Sequence, residues 1–435
     1  KGLFVMMIER YKRDLIKEFR NYDKMMLMKD LMAGLTVTAV AIPLALAFGV
    51  GSGATAASGL VTAIIAGVII SALGGAYFQI SGPTGAMAAI LMSIIAQYDL
   101  QGVFVATVMA GIILVIAGVL HLGKLISFIP MPVISGFTSG IAVIIAMGQI
   151  DNFFGVKSVG SSVTEKFLSY FELGFEPNMT AVGIGVFVML MMLLFPIKYS
   201  RFIPSSLFAI IVATAANIAL NLDVAVVGEI PATLLLDDRL QLASLLDFRT
   251  VIGLLAPAVS IAVLAMIESL LCGATASRMT GARLDSNREL VAQGIGNIIV
   301  PFFGGIPATA AIARTSVAVK SGAVTRMTGI FHALGILLAM FVLAPVMSQI
   351  PLAALAGVLM VVSWRMNEWV TINFILKGKF KGAILKFVVT MLTTIIVDLT
   401  TAIMIGVIIG LVLQAVRFSH LRITYDEIDP QRLHE

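Results

Sequence analysis

Arg314 sits in PFFGGIPATAAIARTSV (301–317), a short apolar stretch broken by glycine and proline. An arginine keeps its charge at any reachable pH, so placing one among apolar residues is expensive unless an anion or an acid compensates it. Glu268 is the one charged residue in VIGLLAPAVSIAVLAMIESLLCG (251–273). Low dielectric favours the neutral form of a carboxyl, so such a group can take up and release a proton. A fixed cation and an exchangeable acid are what proton-coupled anion movement requires. Two blander assignments stay open. Arg314 can snorkel to a polar edge or pair with a structural acid, and Glu268 can be locked to Arg314 or to a helix end.

A second broken stretch, QISGPTGAMAAIL (79–91), has the same character as GGIPATAAIARTS (304–316). In each, glycine or proline interrupts helix and a run of small residues follows. A helix starting there presents unpaired N–H groups and about half a positive charge, a ready anion site. Arg314, about two turns into the later helix, extends the same field. The alternative is a pair of kinks filled by packing. Lys320, at the end of its segment, reads as a snorkelling residue. QGIGN (293–297) and GSGAT (51–55) are incomplete phosphate-loop patterns, and Asn178-Met179-Thr180 is a common chance match to a glycosylation site.

The elements that must position these residues are membrane helices. Of the 435 residues, 59% are hydrophobic and 12% charged, and the mean hydropathy is +1.03. A soluble domain averages about 45–50% apolar and about 25% charged. Continuous apolar runs recur, with no alternating barrel strands. We therefore expect an all-α polytopic membrane protein with spans near 30–48, 53–72, 82–97, 103–120, 132–150, 177–195, 204–221, 250–271, 288–302, 308–319, 326–344, 351–364, 382–397 and 399–417. The last two divide at Asp398, for which a helix-terminal role is expected. One cysteine and four scattered histidines leave no internal disulfide and no metal cluster. No nucleophile–base constellation is present, so neither an enzyme nor a cofactor is expected.

Loop charge tests the count. With the N-terminus inside, the loops after even-numbered spans should be basic, and 121–124, 197–201, 277–288, 320–326, 377–381 and 416–422 all carry Lys or Arg. The linker 223–248 sets five acids against Arg239 alone and reads as extracellular. The net charge of +5 thus belongs to one membrane face and not to nucleic-acid binding. Residues 1–29 read as a cytoplasmic amphipathic segment rather than a signal peptide. A start at Lys is expected of a piece of a longer product. IPMPVISG (129–136) recurs as IPLAALAG (350–357) at a step of 221 residues, and MAGI (109–112) as MTGI (327–330) at a step of 218. Seven spans separate the copies, which inverts one relative to the other: 30–222 and 249–418 read as inverted repeats. The third span then enters from the cytoplasm and the tenth from outside, so their helix N-termini would meet near mid-membrane.

The stretches DLMAGLTVTAVAIPLALAFG (30–49), ISGPTGAMA (80–88), PVISGFTSG (132–140), IESLL (267–271), DSNRELVAQGIGN (285–297), GGIPATAAIART (304–315) and IPLAALAGVL (350–359) together resemble the sulfate permease (SulP) family of anion transporters, from about residue 28 to about 415. The resemblance implies fourteen transmembrane segments in two inverted seven-helix repeats, with half-helices three and ten and with core and gate domains. It also implies a homodimer and a cytoplasmic STAS domain, to which the stub 419–435 would lead and which is expected to be missing here. The implied anion site lies between helices one, three, eight and ten. Carried over by motif, it comprises Leu44 and Phe48, Thr84 and Gly85, and Ala311, Ile312, Ala313, Arg314 and Thr315, with Glu268 at the cation-coupling position. Thr84 is expected to donate its hydroxyl to the anion, and Gly85 to let backbone N–H groups approach it. Two departures stand out. Leu44 follows Pro43 where many members have Gln. Glu268 with Cys272 replaces the Asp and hydroxyl residue of the sodium-using bicarbonate branch, a poorer site for a hard cation, which favours protons.

The expected function is a secondary active anion transporter working by alternating access as a proton symporter. Sulfate or a related oxyanion, bicarbonate and dicarboxylates all stay open as cargo. The alternatives are a sodium-driven bicarbonate symporter, an anion exchanger, a passive anion channel, and a sensor acting through the lost domain. The expected location is the inner (plasma) membrane bilayer, with both termini cytoplasmic.

Overall fold

The computed structural model describes residues 2–412 except 125–128, 161–162, 201–202, 247, 398–400, 403 and 411. Asp398 and the stub 419–435 lie outside these residues. Of the expected span 399–417, residues 401–402, 404–410 and 412 are described and are helical.

The main elements in chain order are helices α1 (Gly2–Phe19), α2 (Lys24–Gly51) and α3 (Ala56–Leu73), strand β1 (Ser81–Gly82), and helices α4 (Gly85–Val119), α5 (Met131–Gly148), α6 (Met179–Leu194), α7 (Ser205–Leu220), α8 (Leu255–Thr280) and α9 (Ser286–Ile299). Then follow strand β2 (Thr309–Ala310) and helices α10 (Ile312–Lys320), α11 (Met327–Met347), α12 (Leu352–Met366) and α13 (Lys381–Ile396). Apart from α1, which falls in the expected N-terminal amphipathic segment, each begins within about six residues of an expected span. Side-chain caps explain several of the starts: the Asp23 carboxylate accepts the Met26 N–H at 2.7 Å, and the Thr55 hydroxyl accepts that of Ser58 at 3.1 Å. The expected third and fourth spans form the two parts of α4. The helix breaks at Asp99, whose backbone (φ 56°, ψ −174°) is not helical. Among the described residues, six helices are long and apolar enough to cross a membrane, and α6, α7 and α12 are shorter apolar helices.

Helix packing relies on close backbone approach. Where α4 meets α9, a Cβ added at Gly111 would lie 2.7 Å from the Gly294 carbonyl oxygen, and one at Gly294 would lie 2.6 Å from that of Gly111. Two glycines facing each other let the helices touch backbone to backbone, a common solution where lipid offers no hydrophobic drive to associate.

The N-terminal helix α1 docks on the protein through one face. Tyr11 donates to the Ala72 carbonyl at 2.9 Å, and its ring lies under the guanidinium groups of Arg288 and Arg326, 5.6 and 5.5 Å from the ring centroid. Asp14 pairs with Arg288 at 2.5 Å and Glu18 with Arg326 at 2.8 Å. Residues 11, 14 and 18 share one helical face, leaving Arg10, Arg13, Lys17 and Arg20 exposed on another.

At the start of α2, the buried Asp30 carboxylate ties the two ends of the fold together. It accepts the N–H groups of Val324 and Thr325 at 2.7 and 3.0 Å, and the hydroxyls of Thr325, Thr328 and Tyr22 at 2.6, 2.8 and 3.0 Å. Burial, followed by the hydrogen bond to Asp30, pushes the Tyr22 phenol up to about 12, so it stays a donor at any working pH. Five donors lose their acceptor in Asp30→Ala. Each buried orphan costs roughly 1–3 kcal/mol before relaxation. The variant should therefore melt several degrees lower in a thermal-stability assay in detergent, whereas Asp23→Ala, at an exposed cap, should melt close to the wild type.

Candidate functional site

The two broken stretches meet. Ser81 pairs with Ala310 and Gly82 with Thr309 in a two-residue antiparallel ladder. The ladder is extended by the Ala311 N–H to the Ile80 carbonyl at 3.0 Å and by the Ile80 N–H to the Thr315 hydroxyl at 3.0 Å. Directly after each strand a helix begins, α4 at Gly85 and α10 at Ile312. The first N–H groups of a helix have no partner within it. Among the described residues, those of Gly85, Ala86, Ile312 and Ala313 meet no protein acceptor.

Arg314 is 1% exposed and reaches across the ladder. It donates from Nη2 to the Pro83 carbonyl at 2.7 Å, while Nε and Nη1 have no protein partner. Gly82 makes room for it: an added Cβ would lie 2.7 Å from Nη1. Glu268 on α8 stands nearby, but no ion pair joins it to Arg314 among the described residues. Its Oε2 instead accepts the Thr84 hydroxyl at 2.9 Å. Thr84 is also the N-cap of α4, accepting the Met87 N–H at 3.4 Å. The Thr84 hydroxyl, expected to face an anion, is thus directed to the carboxyl.

A cavity of about 920 Å³ is lined by Leu44, Phe48, Thr84, Gly85, Glu268 and the run from Ala310 to Arg314. Its wall continues to Met32 and Thr36 near the start of α2, Ser205 at the start of α7 and Arg365 at the end of α12. Every residue expected at the site lines this cavity except Thr315. That side chain lies behind the helix, where its hydroxyl accepts the Cys272 thiol at 3.2 Å as well as the Ile80 N–H.

Sequence reasoning passed over the support from α9. Glu289, Gln293 and Asn297 are spaced by four and lie on one helical face. Glu289 accepts four hydrogen bonds: the N–H groups of Gly75 and Ala76 at 2.9 and 3.3 Å, and the amides of Gln79 and Gln293 at 2.9 Å each. Gln293 also donates to the Ser81 hydroxyl at 3.0 Å. Asn297 grips the backbone of Ala308 in both directions, accepting its N–H at 2.8 Å and donating to its carbonyl at 2.9 Å. On the other side, the hydroxyls of Ser269 and Thr309 lie 2.9 Å apart. The signal was available in DSNRELVAQGIGN, where polar residues recur every fourth position inside a chain otherwise poor in them.

The family model for the Sulfate permease family matches residues 27–390. The Bacillus subtilis protein named "Putative sulfate transporter YvdB" is 40% identical over 412 residues, covering 92% of this chain and 75% of that one. The bicarbonate transporter BicA of Picosynechococcus is 33% identical over 408 residues, covering 90% and 71%. A solved structure of the transmembrane domain of a cyanobacterial BicA superposes with a TM-score of 0.81 at 30% identity, covering 88% of this chain and 98% of that one. These relatives are transporters and not enzymes. With a match over most of its length, and a site built where two broken helices converge on a buried arginine, the chain belongs to the sulfate permease family of anion transporters.

Proposed function

We propose that the protein is a secondary active transporter of small oxyanions, sulfate or bicarbonate foremost, that works by alternating access and carries a proton with the anion on Glu268. The observation that supports this best is the buried Arg314, which borders the cavity where two helices begin and has two nitrogens without a protein partner. Such a group is stable at mid-membrane only if something negative visits it. The names of the relatives, sulfate transporter and bicarbonate transporter, favour an oxyanion. A dicarboxylate is the lesser candidate.

Glu268 suits the proton because it receives a single hydrogen bond, from Thr84, and borders the cavity. Glu289, the other buried carboxyl nearby, receives the four donors that a carboxylate can accept, which suits a fixed structural charge. The antiparallel relation of the two strand–helix units supports inverted repeats, and alternating access follows from rocking one part of such a fold against the other. The basic loops support a plasma-membrane orientation with the N-terminus in the cytoplasm. The cavity then opens to the cytoplasmic side, because it is lined at the start of α2 and the end of α12. A homodimer completes the proposal.

Uptake and binding measurements in proteoliposomes test this reading. Arg314→Ala should bind sulfate at least tenfold more weakly while remaining folded, since a charge-assisted contact is worth on the order of 1.5–3 kcal/mol. Gly82→Ala should weaken binding in the same direction without touching the anion, because its methyl displaces the guanidinium. Wild-type affinity in both variants places the anion elsewhere. Gly85→Leu should block the cavity and abolish uptake.

Glu268→Gln fixes the neutral form of the side chain. It should still exchange anion for anion at equal pH, yet lose accumulation driven by an inward proton gradient. Concentrative uptake at the wild-type level by this variant would remove Glu268 from the coupling, and a passive channel predicts no difference between the two assays.

A further inference from the structure

The hydrogen-bonding inventory of the cavity floor is one-sided. Its donors are the first-turn N–H groups of Gly85, Ala86, Ile312 and Ala313, and the Arg314 guanidinium, whose buried Nε and Nη1 have no protein partner, adds positive charge beside them. The nearby main-chain acceptors are already used: the Pro83 carbonyl takes Arg314, the Thr84 carbonyl takes the Ala88 N–H, and the Ala311 carbonyl takes that of Thr315. The Thr84 hydroxyl gives its one proton to Glu268. The remaining acceptor is the Glu268 carboxylate itself, whose Oε2 holds Thr84 and whose Oε1 meets no protein donor among the described residues. The floor therefore suits an anion made of acceptor oxygens, with Glu268 Oε1 as the acceptor atom that holds no protein donor and can take an anion hydroxyl.

Oxyanions differ in this respect. Sulfate at neutral pH carries no proton and can only accept. Bicarbonate carries an O–H that must find an acceptor, or a buried donor is left unsatisfied at a cost of roughly 1–3 kcal/mol. From this inventory we infer that Glu268 takes opposite protonation states with the two classes of substrate. An oxyanion bearing its own proton binds with Glu268 ionised and donates its hydroxyl to Oε1. A fully deprotonated oxyanion binds with Glu268 protonated and accepts a hydrogen bond from it. One proton accompanies the anion in either case, on the anion or on the carboxyl, so the loaded site keeps the same net charge: a dianion with a neutral acid matches a monoanion with a carboxylate. This inference rests on the proposed function and narrows it: Glu268 carries the proton with sulfate, whereas bicarbonate brings its own.

Other ionisable groups around Glu268 do not duplicate the role. Cys272 lies one turn further along α8 with its thiol on Thr315. Arg314 faces Glu268 from α10, and α9 contributes Glu289, whose four donors hold it, and Arg288, paired with Asp14. On α4 the ionisable residues are Tyr98 and Asp99, at the break far from Gly85, and Arg365 and Glu368 line the cavity from the end of α12 onward.

The test is the ratio of two affinities. Radiolabelled sulfate is bound to the purified wild-type protein between about pH 7 and about pH 9, and bicarbonate, counted as the ion, competes for it. If sulfate needs the protonated acid and bicarbonate the carboxylate, the ratio of sulfate to bicarbonate affinity falls about tenfold for each pH unit. This slope holds whatever the carboxyl's own midpoint, because one bound state always contains one more protein-held proton than the other. In Glu268→Gln the ratio should be independent of pH, and in Glu268→Asp the slope should return. A wild-type ratio that stays flat while both anions bind, and while Arg314→Ala loses both, overturns this inference and leaves the anion site standing. A slope that persists in Glu268→Gln overturns it as well. A wild type that binds neither anion overturns both the inference and the transporter reading.

Discussion

Everything at the site depends on four residues of non-helical backbone paired in the middle of a helical protein. In the hydrocarbon region an unpaired peptide group costs several kcal/mol, so a helix can begin there only if the chain leading into it is satisfied by protein. The ladder between Ser81–Gly82 and Thr309–Ala310 does this for both broken segments at once. Each strand supplies the other's partners, and the two helices that follow are free to begin side by side. Removing either strand would orphan the other.

That ladder is itself held from outside. Gly75 and Ala76 upstream of β1 are fixed by Glu289, Ser81 by Gln293, and Ala308 before β2 by Asn297. On the far side Thr62 accepts the Ile306 N–H at 2.8 Å. The polar face of α9 therefore performs what a sheet neighbour would do in a larger sheet, using side chains where no third strand exists. Because α9 crosses α4 at the facing glycines Gly111 and Gly294, its face has little freedom to slide. Rigid support of this kind keeps Arg314 in place although two of its nitrogens have no protein partner.

Much of this arrangement was legible in the sequence because it appears as violation of a simple pattern. Gly82, Pro83, Gly304, Gly305 and Pro307 interrupt apolar runs, and a lone Arg and a lone Glu stand where neither is cheap. What could not be read was direction. The side of α10 on which Thr315 falls follows from the register of the ladder, which two-residue strands do not encode in any alternation. The aim of the Thr84 hydroxyl depends on where α8 passes, a matter of tertiary packing. Residues 1–29 read as an amphipathic segment, but amphipathicity does not say that the acidic and aromatic face of α1 would meet Arg288 and Arg326.

Thr84 is where the backbone constraint and the charges touch. Its hydroxyl accepts the Met87 N–H and donates to Glu268, so one atom both closes the N-terminus of α4 and orients the carboxyl. A hydroxyl has a single proton, and a donor already committed to Glu268 is unavailable to an anion. On the proposed reading, the anion is held by groups that cannot be diverted: backbone N–H groups fixed by the ladder and a guanidinium fixed by Pro83. With Glu268 titrating as we infer, chemical identity enters through the carboxyl. A scaffold that supplies invariant donors and one variable acceptor can receive oxyanions of different charge without rebuilding its walls, since the proton adjusts the site to the substrate.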